Sequence, residues 1–198
     1  MAIEVASFRI EGISPLLMHS PKAMRSAASS NGASRGSASK QIDPPEIEAR
    51  KALYSLPNGR LYIGSDAVRN ACLTASRDFR DESRRGRASF FKRFSAAVFA
   101  AEPEYLLERP DGTPITDAEG EWEVDIRRVM VQRNGVLRAR PSISPWAATI
   151  RFEVDTDIIP TSAMRVLVEI LNAAGRYPGL YDYRPEQGGS FGRFGVAA

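Results

Sequence analysis

The 198-residue chain contains very little cysteine, histidine or unbroken apolar sequence, and each shortage excludes a class of protein. Cys72 is the only cysteine, so the chain cannot form an internal disulfide or a cysteine-based metal cluster. His19 is the only histidine, which argues against a structural zinc site or a histidine-rich metal centre. The sequence therefore predicts neither a bound metal nor another cofactor.

No apolar run approaches the ~18 residues that a membrane-spanning helix needs. The first residues alternate apolar and polar side chains as an amphipathic strand does, and they lack the pattern of a signal peptide. We therefore expect a soluble, cytoplasmic protein with no membrane partner.

Arginine dominates the charged residues of this mildly basic chain. The formal net charge is +3, and arginine greatly outnumbers lysine. The planar guanidinium group binds phosphate through two parallel hydrogen bonds and stacks on bases, which lysine does not. A basic balance of this size permits a polyanionic partner without requiring one. The length and the apolar fraction of 43% predict one domain over residues 1–198.

The stretch 175–196 interleaves glycines with aromatic residues and arginines. Glycine allows a backbone to approach a ligand closely, and aromatic and arginine side chains suit the stacking and phosphate contacts of a nucleic acid. The alternative is a tight turn whose tyrosines anchor a C-terminal strand. We interpret Asp182, which lies in this stretch, as a turn residue.

Residues 20–43 are rich in serine, alanine and glycine and carry only basic charges before Asp43. They show no apolar periodicity, so they predict a long flexible loop, which we call the arm. Such a loop is either a simple insertion or a basic arm that becomes ordered over a nucleic-acid backbone. Residues 102–121 are acidic and rich in turn signals, and they predict a surface insertion.

Hydrophobic periodicity predicts the order of the remaining elements. The predicted strands cover residues 3–11, 60–63, 96–101, 124–131, 136–140, 146–155 and 190–196. Helices are expected at 45–54, from an N-cap at Ser65, and from an N-cap at Thr161 to a stop at Gly175. Asn134-Gly135 predicts a two-residue hairpin turn.

Without its insertions, this order predicts an α+β fold of the ferredoxin-like (RRM-like) type, βαββαβ, with two helices on one face of an antiparallel sheet. The other face of such a sheet is open and often binds single-stranded nucleic acid. The arginines expected on that face are Arg9, Arg138, Arg140 and Arg151.

The segment 77–93 is strongly basic, and three phenylalanines lie close together at and just after its end. A run of charge is usually a solvated face. The interleaved Phe90, Phe91 and Phe94 make a contact with nucleic acid or with another subunit an equal alternative.

Three stretches together resemble the RAMP superfamily of CRISPR-associated proteins, and more narrowly its backbone subunits, which polymerise along the guide RNA. They are FRIEGISPLLMHS (8–20), GRLYIGSDAVRNACLTASR (59–77) and GRYPGLYDYRPEQGGSFGRFGV (175–196). The resemblance lies in layout and loose motifs and covers most of the chain. It implies a non-catalytic protein whose copies stack into a helical filament on a single strand, with other effector-complex subunits as further partners. Binding of this kind is independent of sequence and sensitive to salt.

The resemblance also assigns contact residues. In the arm it implies strand contacts by Lys22, Arg25, Arg35 and Lys40. In the glycine-rich stretch it implies contacts by Gly188, Gly189, Gly192 and Arg193. On the helix after residue 65 it implies that Arg69 and Arg77 face the strand.

Three alternatives to a guide-RNA backbone subunit remain. The chain is also similar in layout to small stand-alone proteins of phages and other mobile elements, for which the ligand would be single-stranded DNA. An inhibitor or decoy that mimics a backbone subunit would bind another protein. Exposed phenylalanines would be suited to such a contact. A RAMP endoribonuclease would use His19 as its general acid or base, and Asp43 is a second candidate for RNA cleavage.

Overall fold

The computed structural model describes residues 2–21, 43–83, 88–131 and 134–197. Within these ranges the protein is α+β, with four α-helices and two sheets whose described strands all pair antiparallel. The helices are α1 (Pro45–Lys51), α2 (Ser65–Ala75), α3 (Phe91–Ala97) and α4 (Arg165–Arg176). Short 3-10 turns cover Thr161–Ala163 and Pro185–Gln187.

The larger sheet has six strands. They are β1 (Ile3–Gly12), β3 (Tyr62–Gly64), β4 (Val98–Ala100), β5 (Glu104–Glu108), β8 (Ala147–Asp155) and β9 (Phe194–Val196). The order is β3-β5-β8-β1-β9, and β4 also pairs with β8. The smaller sheet has the order β2-β7-β6, with β2 at Leu16–Leu17, β6 at Glu123–Val131 and β7 at Asn134–Ile143.

Strands β1 and β8, which their alternating sequences predict as strands, are neighbours in the large sheet. They pair from Ile3 opposite Asp155 to Glu11 opposite Ala147. Ile150 and Phe152 of β8 are fully buried and pack in one core with residues of α2 and α4, such as Val68 and Ile170. The two helices therefore cover one face of this sheet, and the other face stays open.

Helix α2 confirms the predicted packing but not the predicted cap. Val68, Ala71, Cys72 and Ala75 are buried at helical spacing. The N-cap is Gly64, and Ser65 is the first helical residue with no side-chain capping bond. The backbone amide of Ser65 instead donates to the carbonyl of Pro103 at 3.0 Å. Burial raises the pKa of the Cys72 thiol, which makes it an inert core residue.

The segment 102–121, expected as a surface insertion, contributes a strand to the large sheet. β5 lies between β3 and β8, and its Tyr105 and Leu107 are fully buried. The acidic composition hid this strand, because Glu104 and Glu108 occupy alternate positions on the opposite face. Similarly, α3 extends to Ala97, so the strand expected at 96–101 is only the three residues of β4.

The phenylalanines near α3 are not a shared surface patch. Phe90 and Phe94 are buried in the core, which contradicts the expectation that they are exposed for a subunit contact. Arg93 stacks over Phe90 and forms an ion pair with the buried Asp81 at 3.2 Å. Much of this basic segment is therefore used to hold α3 in place.

Two predicted turn signals have other roles in the structure. Asn134 pairs with Val131, and Gly135 pairs with Met130, so both residues belong to β7 instead of forming the hairpin turn. Gly175 lies inside the last turn of α4 and does not end the helix. A Cβ atom at Gly175 would lie 2.0 Å from the carbonyl oxygen of Phe194, so glycine is required where β9 passes close to the helix.

The start of α4 also differs from the prediction. Thr161 begins a 3-10 turn, and α4 itself starts at Arg165 after an N-cap at Met164. The Thr161 hydroxyl donates to the Glu4 carboxylate at 3.1 Å instead of capping the helix.

Candidate functional site

Both ends of the arm are fixed beside helix α1. At the first end, the Ser20 amide donates to the Ala52 carbonyl at 2.9 Å. At the second end, Asp43 forms an ion pair with Lys51 at 2.6 Å, so its carboxylate has a structural partner. The arm residues predicted to contact a strand, Lys22, Arg25, Arg35 and Lys40, lie outside the described residues. The arm therefore leaves and rejoins the described structure beside α1.

Next to the first end of the arm, three side chains from distant segments meet. The Asp182 carboxylate lies 3.2 Å from His19 Nδ1 and 3.1 Å from Arg140 Nε. Arg140 Nη2 is also 3.4 Å from His19 Nε2. Burial alone would raise the pKa of Asp182, but the hydrogen bonds and charges of His19 and Arg140 outweigh it and lower the pKa. Asp182 is therefore a charged partner of both side chains, and not merely a turn residue.

Glu48 links helix α1 to the edge of strand β7. Its carboxylate accepts a hydrogen bond from the Ala139 amide at 3.2 Å and lies 3.4 Å from Arg138 and 3.7 Å from Arg140. Together with Asp182 and His19, these two arginines and Glu48 form what we call the arm-base cluster. The Arg138 side chain is 44% exposed and that of Arg140 is 12% exposed, so Arg138 is the more accessible cation.

The glycine-rich stretch folds as a compact loop against the β6–β7 hairpin. The Arg127 guanidinium lies 4.5 Å from the ring centre of Phe191 and 5.3 Å from that of Tyr183. Arg127 also forms a bidentate pair with Asp125, at 2.6 and 3.0 Å. The Tyr183 hydroxyl donates to the Arg128 carbonyl at 3.2 Å. Aromatic and arginine residues in this region thus fasten the loop to the hairpin.

Tyrosines fix the other side of the same loop. The ring of Tyr181 stacks on that of Tyr54 with centroids 4.8 Å apart, and its hydroxyl accepts a hydrogen bond from the Gly64 amide at 2.9 Å. Burial raises the pKa of Tyr181, so it remains neutral. Tyr54 in turn donates to the His19 carbonyl at 3.2 Å. The loop is therefore anchored to β3 and to the chain that leads into the arm.

The glycines of the loop make room for its own backbone. Gly188 has φ +79° and ends the 3-10 turn, with open space where a Cβ would lie. At Gly189 a Cβ would lie 1.8 Å from the Tyr183 carbonyl oxygen, and at Gly192 it would lie 2.0 Å from that of Leu180. The close approaches that require glycine are thus internal to the loop.

The backbone of Arg193 is hydrogen-bonded within the fold, whereas its side chain has no hydrogen-bond or ion-pair partner among the described residues. Its carbonyl accepts hydrogen bonds from the amides of Ile13 and Ser14, at 2.8 and 3.3 Å. Its guanidinium makes no hydrogen bond or ion pair with any described residue. Arg193 is half-buried.

The four arginines expected together on the open sheet face lie on two different sheets. Arg138 and Arg140 belong to β7 of the smaller sheet, whereas Arg9 and Arg151 belong to the large one. Arg9 forms an ion pair with Glu108 at 3.3 Å and donates to two backbone carbonyls, and Arg151 forms an ion pair with Glu102. The prediction of one arginine-lined face is therefore wrong, because the β6–β7 hairpin forms a separate sheet.

Arg69 and Arg77 are predicted to face a bound nucleic-acid strand, but both have partners within the fold. Arg69 donates to the carbonyls of Val98 at 2.9 Å and Ser95 at 3.1 Å, and it lies over the ring of Phe99. Arg77 lies over the ring of Phe91 at 4.9 Å. Arg69 in particular joins α2 to the end of α3.

Sequence reasoning identified His19, Arg138 and Arg140 but missed Asp182 and Glu48. Nothing in the sequence connects residues that are 42 positions apart, as Asp182 and Arg140 are. The cue that was present is the position of Asp182 between two tyrosines in a glycine-rich stretch. This position indicates a contact between Asp182 and Arg140 only when the loop is known to pack against the β6–β7 hairpin.

Comparisons with other proteins add no family assignment, since no family model and no curated protein matches this chain. Over the described ranges, the helices include none that combines the length and apolarity needed to cross a bilayer. The same ranges contain no group of three or more histidine, cysteine, aspartate or glutamate side chains arranged to hold a metal ion.

Proposed function

We propose that the protein is a non-catalytic binder of single-stranded nucleic acid that assembles along the strand, as a guide-RNA backbone subunit does. The observation that carries this proposal is the convergence at the arm base. The ends of a basic arm, the Arg138 side chain of the hairpin and the glycine-rich loop all lie around the same ionic cluster. Three segments that are far apart in sequence and suited to phosphate contact thus share one surface.

A ferredoxin-like core is part of the proposal. In this interpretation the core strands are β1, β5, β8 and β9, with α2 between β1 and β5 along the chain and α4 between β8 and β9. The spatial order β5-β8-β1-β9 supports it, since each of these helical connections skips over one strand of the sheet. The β6–β7 hairpin is then an insertion that carries Arg138 to the arm base.

The geometry around His19 favours a non-catalytic role over cleavage by this residue. Its Nδ1 faces the Asp182 carboxylate and its Nε2 faces the Arg140 guanidinium, at 3.2 and 3.4 Å. A general acid or base needs a ring nitrogen within reach of the substrate proton. Because both nitrogens already have protein partners, we assign His19 to positioning Asp182 and Arg140.

Binding is tested by titrating fluorescently labelled single-stranded RNA and DNA of unrelated sequences at several salt concentrations. We expect similar affinity for different sequences and a linear fall of log K with log salt, with a slope of about −0.7 for each phosphate contacted. Comparison of RNA with DNA of the same sequence measures the contribution of the 2′-hydroxyl group. Lack of binding to either polymer at low salt would contradict the proposal.

A pair of arginine variants locates the interface. Arg138→Gln should weaken binding and reduce the salt slope by about one phosphate contact, or about 0.7. Arg165→Gln removes the same charge from α4, where the side chain is 89% exposed, and should leave affinity unchanged. Equal loss of affinity in both variants would show that net charge, and not the arm base, determines binding.

Purification from the native host tests the assembly role. We expect the protein to co-purify with nucleic acid, which raises the ratio of absorbance at 260 nm to that at 280 nm, and sequencing then identifies the strand. A decoy would instead bind another protein complex and no free nucleic acid. An endoribonuclease would release cleaved RNA, and the product would disappear in the His19→Ala variant.

A further inference from the structure

The first half of β1 has an unpaired edge. On one side β1 pairs with β8 along nearly its whole length, from Ile3 to Glu11. On the other side β9 pairs only with residues from Ile10 to Gly12, and the last bond of that ladder runs from the Ala197 amide to the Arg9 carbonyl at 2.8 Å. Among the described residues, no strand pairs with this edge between Ile3 and Phe8.

The hydrogen bonds of β1 define the directions in which its backbone groups point. The Ala2 carbonyl and the Gly12 amide point towards the β8 side, because they bond to Thr156 and Trp146. The Arg9 carbonyl points towards the β9 side. Since the N–H and C=O groups of alternate residues in an antiparallel strand point to opposite edges, those of Ile3, Val5 and Ser7 point to the free edge.

Two side chains along the free edge are exposed and apolar, as is typical of an interface. Ile3 is 55% exposed and Val5 is 57% exposed, and both lie on the open face of the sheet, opposite to the face of Phe8 and Ile10. Proteins usually protect a strand edge with lysine, proline or a bulge. Residues 3–7 contain no lysine, arginine or proline, and the one charge, Glu4, accepts the hydroxyl of Thr161.

We propose that this edge pairs with the same edge of a second copy, antiparallel and about a two-fold axis at Val5. In this register Val5 faces Val5 of the partner subunit, and Ile3 faces Ser7 of the partner subunit. Outward-pointing residues then face one another, which completes the ladder between the two strands. The exposed Val5 side chains cover each other across the axis.

The charges of the neighbouring β8 strands do not oppose this register. On β8, Asp155 lies opposite Ile3, Glu153 opposite Val5 and Arg151 opposite Ser7. Across the four strands, Asp155 and Ile3 of one copy therefore lie in line with Ser7 and Arg151 of the partner subunit. The two ends of this line carry opposite charges. The two Glu153 carboxylates, like Asp155 and Arg151 of the partner subunit, are three strand spacings apart, about 14 Å. This distance exceeds the Debye length of about 8 Å at physiological salt, so the β8 charges neither drive nor prevent the pairing.

This contact is distinct from the head-to-tail contact of a filament, because a two-fold interface closes after two subunits. It does not rest on the proposed nucleic-acid binding. Five residues on each side make a small interface, so we expect weak, concentration-dependent dimers.

Disulfide trapping tests the register. Facing residues in a hydrogen-bonded pair have Cα atoms about 5.5 Å apart, which is within the range of a disulfide. Under mild oxidation, Val5→Cys should give a covalent dimer on a non-reducing gel. Ser7→Cys should not cross-link to itself, but it should cross-link when mixed with Ile3→Cys. The native Cys72 is buried and does not compete.

Sedimentation velocity of the full chain provides a second measurement. Val5→Lys places two ammonium groups opposite each other and should shift the equilibrium to monomer, by at least tenfold in Kd. Leu106→Lys adds the same charge to the same sheet face, away from the edge, and should leave the dimer unchanged. The proposal is overturned if Ser7→Cys cross-links as fast as Val5→Cys, or if the wild-type chain stays monomeric over the whole concentration range.

Discussion

The carboxylate of Asp182 lies 3.1 Å from Nε of Arg140, and this ion pair joins the glycine-rich loop to the β6–β7 hairpin. Arg140 also donates to the carbonyl of Ala139 and lies beside His19 Nε2. Each of the three nitrogens of its guanidinium therefore has a partner in the protein. We infer that Arg140 holds the arm base together, whereas Arg138, which is more exposed and pairs with Glu48, is the arginine that contacts a ligand.

We expect Asp182→Asn to destabilise the fold by about 1–3 kcal/mol, the usual value for loss of a hydrogen bond to a charged partner. The neutral amide would no longer balance the charge of Arg140, and the loop would be held less firmly to the hairpin. Chemical denaturation monitored by circular dichroism measures the change. Glu186→Gln, which removes a charge from an exposed ion pair with Arg184, is the matched control and should change stability by less than about 1 kcal/mol.

The stability of the wild-type protein should depend on the charge of Asp182 in acid. Its pKa is lower in the folded state than in the unfolded chain, where an aspartate has a pKa of about 3.9. Its contribution is therefore complete above about pH 5 and is lost as the pH falls through the folded-state pKa. Denaturation midpoints measured from pH 6 to pH 2 should converge for wild type and Asp182→Asn at the acid end. A constant difference at all pH values would contradict the assignment.

The two adjacent glycines of the loop should differ in their tolerance of alanine. At Gly189 the new Cβ would collide with the backbone of Tyr183, so Gly189→Ala should cost several kcal/mol or prevent folding. At Gly188 the space is open, and alanine should cost only about 1–2 kcal/mol for its positive φ. Thermal unfolding distinguishes the two. Gly112→Ala, also at positive φ with open space, should resemble Gly188→Ala.

Arm substitutions should weaken binding without changing stability. We expect the double variant Lys22→Ala/Arg25→Ala to bind single-stranded nucleic acid more weakly, because it removes two positive charges from the proposed phosphate-binding arm. Its unfolding temperature should equal that of the wild type. Anisotropy titration and thermal unfolding of the same samples separate the two effects. A fall in unfolding temperature would mean that these side chains stabilise the folded protein.

Arg69→Ala should show the opposite pattern, with lower stability and little direct effect on binding. Its guanidinium satisfies the carbonyls of Val98 and Ser95, and Val98 is fully buried. Leaving these acceptors unpaired should cost about 1–3 kcal/mol. If Arg69→Ala kept its stability and lost affinity, the resemblance-based assignment of Arg69 to the strand would be correct.

Local patterns in the sequence predicted the central strands well. The alternation in β1 and β8 and the helical spacing in α2 reflect burial of one face by residues that are near neighbours in the chain. Local periodicity does not reveal β5, where Tyr105 and Leu107 lie between Glu104 and Glu108. A short strand among charged residues gives too little periodicity to be distinguished from a surface loop.

The sequence alone determined the α+β class, the main strands and the scarcity of metal ligands, because these depend on composition and on the spacing of neighbouring residues. Only the tertiary structure decided that Arg138 and Arg140 belong to a separate, smaller sheet, and that Asp182 contacts Arg140 and His19. The edge of β1 is also a tertiary property, since it depends on where β9 stops pairing. The physical reason is the same in each case. Which strands and loops come together depends on burial and pairing between distant segments, and local periodicity carries no information about those pairings.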